Sequence, residues 1–416
     1  MKKKLFKINN NCRLCSSRKL DKVVDIGSTP VSEKYSSKKN SLPEEKMVPL
    51  NLYFCNNCSH IQLVHVVDPD YLWDNFTFKT SRNPKLNNHY SNYVNDLIKF
   101  AKFTKKNFVL DIGSNDGTLL KIFKKNRFKK FIGVDPAKKI AKEANKSGIP
   151  TIIDYMNSTL SEKIVTKHGK ADFITANNVY AHINNMSGLT DGIKNALSRN
   201  GLFVFEVSYL LDVIKKKLLG TIFHEHLSYH SLFSLIKFFK KKNLQIVKVR
   251  RNSLQGGSLV CYVQHFEGPY KTDKSVEKIL NLEKRSGLNK RKTFIDFSKK
   301  LKRTKITINK KINEIIKKDK KISGFGSARS ATTLIKFFNI GSKINFIVDD
   351  NKGKHFKFTP GDRIKVLPSN EIYKGNTDYL VIFAWEHQKK IMKKHIKFKK
   401  LGGKFINILP DFKVIS

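Results

Sequence analysis

Two cysteine pairs with matched spacing are the first residues in this chain that could do chemistry together. Cys12-Arg-Leu-Cys15 and Cys55-Asn-Asn-Cys58 form CxxC…CxxC. Two residues between thiolates let each pair supply two corners of a tetrahedron. A zinc held this way adds folding energy to a segment too small to bury a sufficient core. The pattern predicts structural zinc on Cys12, Cys15, Cys55 and Cys58. Redox pairs are the rival reading, but two matched units without a thioredoxin-like βαβ context argue against it. Closed by four ligands, the site is assigned no chemistry of its own. His60 and His65 read as packing or surface residues, and Cys261, alone in an apolar run, as a buried small hydrophobe.

A second constellation surrounds a glycine turn. Phe108-Val-Leu-Asp-Ile-Gly-Ser-Asn-Asp-Gly117 reads as strand, tight turn and helix start. Gly113 lets the backbone come close to a ligand. A dinucleotide site would want GxGxxG, with a pyrophosphate on the helix N-terminus. GSNDG instead sets an acid where phosphate is repelled and an amino group is welcome. S-adenosylmethionine (SAM) offers that ammonium and a sulfonium as well. The next strand ends Gly133-Val-Asp-Pro136, with Asp135 placed 24 residues after Asp111, the position of an acid that accepts both ribose hydroxyls. Asn177 and Asn178 close a third strand at its C-terminal end, the edge where open α/β sheets bind ligands. The expected SAM contacts are Asp111, Gly113, Asn115, Asp116, Asp135, Pro136, Asn177 and Asn178. An ordinary βα turn in another α/β enzyme is the rival.

Three segments position these residues. Residues 1–75 hold both cysteine pairs and short β-rich pieces such as Met47-Val-Pro-Leu-Asn-Leu-Tyr-Phe54. Residues 76–250 alternate strand-like runs, among them Lys130–Val134, Asp172–Ala176 and Leu202–Glu206, with Lys-rich amphipathic stretches. That rhythm predicts a parallel sheet wrapped by helices. Residues 251–416 open with a charged, Pro-free stretch at 275–319, read as one or two long helices whose apolar face is Val276, Ile279, Leu280 and Leu282. A second alternating unit follows, with strands expected at Lys321–Gly324, Ile344–Val348, Tyr379–Phe383 and Lys404–Ile408.

Composition sets the outer limits. In 416 residues, 81 Lys and Arg against 34 Asp and Glu give a formal charge of +47, which invites a nucleic-acid reading. The lysines are spread through every segment, so background composition is preferred, with a basic pocket for a diphosphate as a by-product. No run of 18 apolar residues occurs, and the basic start lacks an apolar stretch behind it. The expectation is a cytoplasmic protein without a membrane partner or nucleic acid, a monomer or weak homodimer. Five cysteines in this length do not make a disulfide scaffold.

Together these motifs resemble the SAM-dependent C-methyltransferases that make branched deoxysugars on nucleotide carriers. The resemblance runs over nearly the whole chain. The cysteine pairs resemble that family's zinc module, while Leu110–Leu119, Gly133–Pro136 and Ala176–Ile183 look like its SAM site. Phe205–Tyr209 and Phe223-His-Glu-His-Leu-Ser-Tyr229 look like its catalytic stretch. Gly256-Gly-Ser258, Gly324–Ala328, Val348-Asp-Asp-Asn351, Thr359-Pro-Gly361 and Ala384-Trp385 follow its C-terminal domain in order. The resemblance implies an α/β fold: a Rossmann-like class I methyltransferase domain, an N-terminal zinc-binding module and a second C-terminal Rossmann-like domain. It implies SAM and structural zinc as cofactors and a nucleotide-linked, dTDP-type 4-keto-deoxysugar as substrate. Deprotonation next to the ketone would be followed by methyl transfer to the enolate carbon.

His226 is then the base, with Glu225, His182 and His224 as its catalytic neighbours. Phe76, Phe78, Thr80, Ser81, His89, Tyr209 and Phe223 are the implied sugar contacts. Phe76, Phe78 and Phe223 stand where relatives often carry Tyr, and Gln255 and Val260 where His and Arg are expected, so the sugar and the ring position are left open. The turn Gly324-Phe-Gly326, with Ser327 and Arg329, reads equally as a diphosphate contact or a structural turn; Trp385 reads as core. Two alternatives stand beside this function: a SAM-dependent methyltransferase for another small molecule or RNA, and a non-catalytic zinc- and nucleotide-binding protein.

Overall fold

The structure, a computed structural model, describes residues 4–38, 47–73 and 79–416. Phe76 and Phe78 lie outside the described residues.

Near the N-terminus, Leu20–Thr29 and Val48–Cys55 pair antiparallel and Ile61–Leu63 adds to them. Val48, Leu50, Leu52 and Phe54 are buried in alternation, the period of a half-buried strand. The fourth strand of this sheet comes from far along the chain. Ser228–Tyr229 pairs antiparallel with Ile61–Leu63, Ser228 opposite Gln62 and Tyr229 opposite Ile61.

The central sheet has seven strands. In spatial order they are Leu244–Asn252, Ser258–His265, Leu197–Ser208, Ala171–Asn177, Phe108–Ile112, Lys130–Val134 and Thr151–Ile152. All neighbours run parallel except those of Ser258–His265. Phe108–Ile112 is buried along its whole length, as a parallel strand covered on both faces must be. The strand order reverses between Phe108–Ile112 and Ala171–Asn177, the switch point at which such sheets bind ligands. Ser258–His265 belongs to this sheet, so the central unit runs past the change at 250 that the sequence suggested. Gln255, Gly256 and Gly257, all at positive φ, make the turn that hides this continuity.

Two helices follow, Lys274–Arg285 and Arg291–Ile316. Buried Glu283 on the first accepts the N–H groups of Leu232 and Phe233 (2.7 and 2.9 Å). Those are orphan donors at the start of the helix Leu232–Lys241. The last unit is a six-stranded sheet in the order Val366–Pro368, Ile347–Asp349, Ile322–Phe325, Tyr379–Ile382, Lys404–Asn407 and Lys413–Ile415. It is parallel apart from its final pair. The strand expected from Ile344 begins at Ile347, because the chain enters it from a 3₁₀ turn at Gly341–Lys343. This second sheet also reverses order beside its first strand. Among the described residues, no helix is long and apolar enough to cross a membrane.

Candidate active site and zinc site

The two cysteine loops fold alike. Ser16 N–H bonds back to Cys12 O and Ser59 N–H to Cys55 O, each at 2.8 Å. Ser16 and Ser59 both turn through positive φ, 61° and 62°. The four Sγ atoms lie within 4.8 Å of one another, with Cys12–Cys58 and Cys15–Cys55 at 3.5 Å. Four thiolates about 2.3 Å from one zinc stand roughly 3.8 Å apart, so the donor set fits that ion. His60 is turned away, its Nε2 bonded to Ser228 Oγ at 3.2 Å.

A cleft of about 1880 Å³ runs between the N-terminal module, the central sheet and the C-terminal sheet. Single-ligand pockets span roughly 300–1,000 Å³, so this one has room for two molecules. At its central-sheet end lie Asp111, Gly113, Asn115, Asp135, Asn177 and Asn178. Gly113 has φ +69°, and a Cβ there would meet Val179 Cγ2 at 2.5 Å. Asp135 accepts Asn115 N–H and Ala137 N–H, both at 2.8 Å. Those two bonds fix the carboxylate and leave each oxygen a further lone pair toward the cleft. Among the described residues both polar atoms of the buried Asn177 amide lack a partner, a cost that a bound ligand would relieve. Burial raises the Asp111 carboxyl to about 7, opposed by the Thr175 hydroxyl. Two desolvated acids and an unpartnered amide suit a cationic amino-acid nucleoside. Pro136 borders the same end.

Asp116 is placed differently from expectation. Its oxygens accept Ser81 N–H and the Thr118 hydroxyl (3.1 and 2.6 Å), and it does not line the cleft. Asn115 Oδ1 likewise holds Thr80 N–H at 3.0 Å. The acid therefore latches the turn at 80–82 onto the glycine loop. Thr80 reaches the cleft and Ser81 does not.

Midway along the cleft stand two imidazoles, His182 and His226, with ring centroids 5.0 Å apart. His226 Nδ1 lies 2.7 Å from Thr221 O and His182 Nδ1 lies 2.8 Å from Glu225 O. A carbonyl can only accept, so each Nδ1 carries the proton and each Nε2 is the basic nitrogen. The Phe223 ring packs against that of His226, tilted by 33° with centroids 4.1 Å apart. A general base working at neutral pH is best matched by a pKa near 7. Burial instead lowers His226 to about 3, aided by His182, and lowers His182 to about 4. Glu225 is buried, and its Oε1 accepts Arg329 Nε at 2.7 Å. Arg329 begins the helix Arg329–Phe338 of the C-terminal unit.

Three further expected site residues lie off the cleft. His224 is buried and points into the N-terminal module, its Nε2 donating to Val48 O at 3.0 Å. Two residues from His226 in a tight turn, it necessarily projects elsewhere. Tyr209, fully buried, packs under Arg251. His89 bonds through Nε2 to Glu206 Oε2 at 2.6 Å behind the switch point, where Asn252 Nδ2 holds the other oxygen at 2.8 Å. Sequence reasoning also missed residues. Trp385 is half-buried and lines the cleft, wedged against Gly220 and Gly256, where added Cβ atoms would meet its ring at 2.7 Å. Two distant glycines facing one aromatic leave no signal in a single sequence. Asp349 repeats the Asp135 arrangement in the second sheet, accepting Ser327 N–H at 2.7 Å and Asn351 N–H at 2.8 Å. Its Val-Asp-Asp-Asn context was visible, but its kinship to Asp135 was not.

Sheet order, glycine turn and second-strand acid together define a class I, SAM-dependent methyltransferase with a four-cysteine zinc site. Three family models then match in chain order: a zinc binding domain over residues 12–73, a methyltransferase domain over 86–249 and a C-methyltransferase C-terminal domain over 253–410. Together the three matches run from residue 12 to residue 410, and over that length the chain is similar to C-methyltransferases. It is 29% identical to the C-methyltransferase NovU of Streptomyces niveus over 408 residues, 98% of this chain and 97% of NovU. Similar solved structures include a SAM-dependent methyltransferase from Clostridium acetobutylicum, 14% identical, covering 43% of this chain and 91% of that one at TM-score 0.36. Another is magnesium protoporphyrin IX methyltransferase from Synechocystis with bound S-adenosylhomocysteine, 14% identical, covering 46% and 90% at TM-score 0.35.

Proposed function

We propose that the enzyme methylates a ring carbon of a nucleotide-linked 4-keto-deoxysugar, after removing the proton beside the ketone. The observation that carries this reading is the pair of neutral imidazoles, 5.0 Å apart, between the SAM end of the cleft and the C-terminal unit. When bound, SAM supplies the methyl group as an electrophilic carbon. Asp135 would accept its ribose hydroxyls, while Asp111 and Asn177 face its charged and polar parts.

His226 Nε2 is the proton acceptor in this reading, and Thr221 O holds the tautomer that leaves it basic. Its low proton affinity in the bare cleft rises beside an anionic diphosphate, which favours the imidazolium form. His182 Nε2 faces the same space and serves the enolate oxygen or a second proton transfer. Phe223 holds the His226 ring in place. Arg82, Lys85, Lys354 and Lys390 at the cleft suit a diphosphate.

The test is incubation with labelled SAM and a panel of nucleotide 4-keto sugars, read by mass spectrometry for a gain of one methylene. Solvent deuterium uptake without SAM would locate the acidic carbon. Labelled product on a carbon of one sugar is the expected result. Methyl transfer to oxygen, or to RNA and no sugar, would overturn the reading.

A further inference from the structure

Between the zinc ligands Cys12 and Cys15 stands Arg13, an arginine only 6% exposed. Its side chain leaves the cysteine loop and crosses to the methyltransferase domain. Nη1 donates to Leu63 O in the zinc module's sheet and to Leu227 O at 3.3 Å, one residue past His226. Nε donates to Asn184 Oδ1 at 3.2 Å, two residues past His182. Asn9 Nδ2 reaches that same oxygen at 3.1 Å. The Arg13 backbone is pinned in turn, its N–H donating to Gln62 Oε1 at 2.9 Å while Gln62 Nε2 donates to Asn11 O at 3.0 Å.

The surrounding backbone repeats the connection. Leu63 N–H donates to Leu227 O at 2.9 Å, and Ser228 N–H donates to Ala181 O at 3.1 Å. The segments bearing His182 and His226 therefore meet at one buried guanidinium whose own place is set by the cysteine loop. A planar donor fork can hold three acceptors in fixed relation, which a flexible ammonium cannot.

We propose that Arg13 is a positioning residue: seated by the zinc loop, it fixes the separation and orientation of the His182 and His226 imidazoles, so that the zinc site controls turnover rather than SAM affinity. The proposal rests on the reading that this pair handles the proton. The zinc loop contributes no group to the SAM end of the cleft, so cofactor binding is insulated from it.

The experiment uses the full-length, zinc-loaded protein and the Arg13→Met, Arg13→Lys and Asn184→Ala variants. Zinc content, SAM affinity by calorimetry, imidazole ¹⁵N resonances without sugar, and kcat and KM with the accepted sugar are measured on each. For Arg13→Met the expected result is one zinc per chain, SAM affinity within about twofold, shifted His182 and His226 resonances, and kcat lowered about tenfold or more at similar KM. Arg13→Lys should recover only part of this. Unchanged resonances with unchanged kcat in Arg13→Met overturn the proposal. If Arg13→Met loses zinc and SAM binding together, Asn184→Ala decides, since it removes the acceptor and spares the loop. Unmoved resonances there overturn the proposal, and moved ones support it. Because the resonances are read without sugar, they stay informative even if the keto-sugar reading fails in the labelling assay.

Discussion

At the scale of single residues, the division of labour follows from which polar atoms are already satisfied. Asp116 is tied to Ser81 and Thr118 and His224 Nε2 to Val48 O, whereas the Asn177 amide, at the cleft, has no partner among the described residues. His226→Ala should lower turnover by about 10² or more while leaving calorimetric SAM affinity near normal; retained turnover would remove it from the role of base. Asp111 offers a second test. Its carboxyl titrates at about 7 because burial disfavours the charge, and a cationic ligand favours the ionised form. SAM affinity should therefore rise with pH and level off above 7, falling about tenfold per unit below it. Calorimetry from pH 5.5 to 8.5 checks this, and Asp111→Asn should flatten the slope. Legibility also divides at this scale. The cysteine pairs and the Gly113…Asp135 spacing are local, so sequence distance mirrors geometry. The choice among His224, Glu225 and His226 depends on a turn closed by His226 N–H to Phe223 O at 2.9 Å, and no periodic pattern reports which side chain such a turn sends into the cleft.

At the scale of elements, the strand–turn–helix units were readable because apolar runs alternate with amphipathic stretches. Ser228–Tyr229 was not, since two residues are too few to show a period of two and its partner strand is more than 160 positions away. The link from the His-Glu-His stretch to the helix Arg329–Phe338 was equally hidden. Glu225 is 8% exposed at the side chain and Arg329 26%, so Arg329→Ala should leave a buried carboxylate short of its partner. A loss of about 2 kcal/mol is expected in urea unfolding. Adding Glu225→Gln should recover part of that loss. A double variant no more stable than Arg329→Ala alone would show that the pair is not the source.

At the scale of the whole molecule, acid sensitivity should be pronounced. His182, His224, His226 and His230 are lowered to between about 3 and 4 from an ordinary 6.5, chiefly by burial, and His60 well below its ordinary value. The unfolded chain takes up protons on these groups below pH 6.5 and the folded chain does not. Stability is therefore full above that pH and lost as pH falls from 6.5 toward 4. Thermal unfolding across pH 4–8 checks this, and a midpoint flat from 4.5 to 6.5 would contradict it.

The short strand at 228–229 has one more consequence. Any chimera that joins the N-terminal module of one such enzyme to the body of another at residue 73 would build a hybrid sheet, three strands from one parent and the fourth from the other. Residues 224–230 would have to travel with the module, as a second graft inside the body, for the two parents to exchange it cleanly.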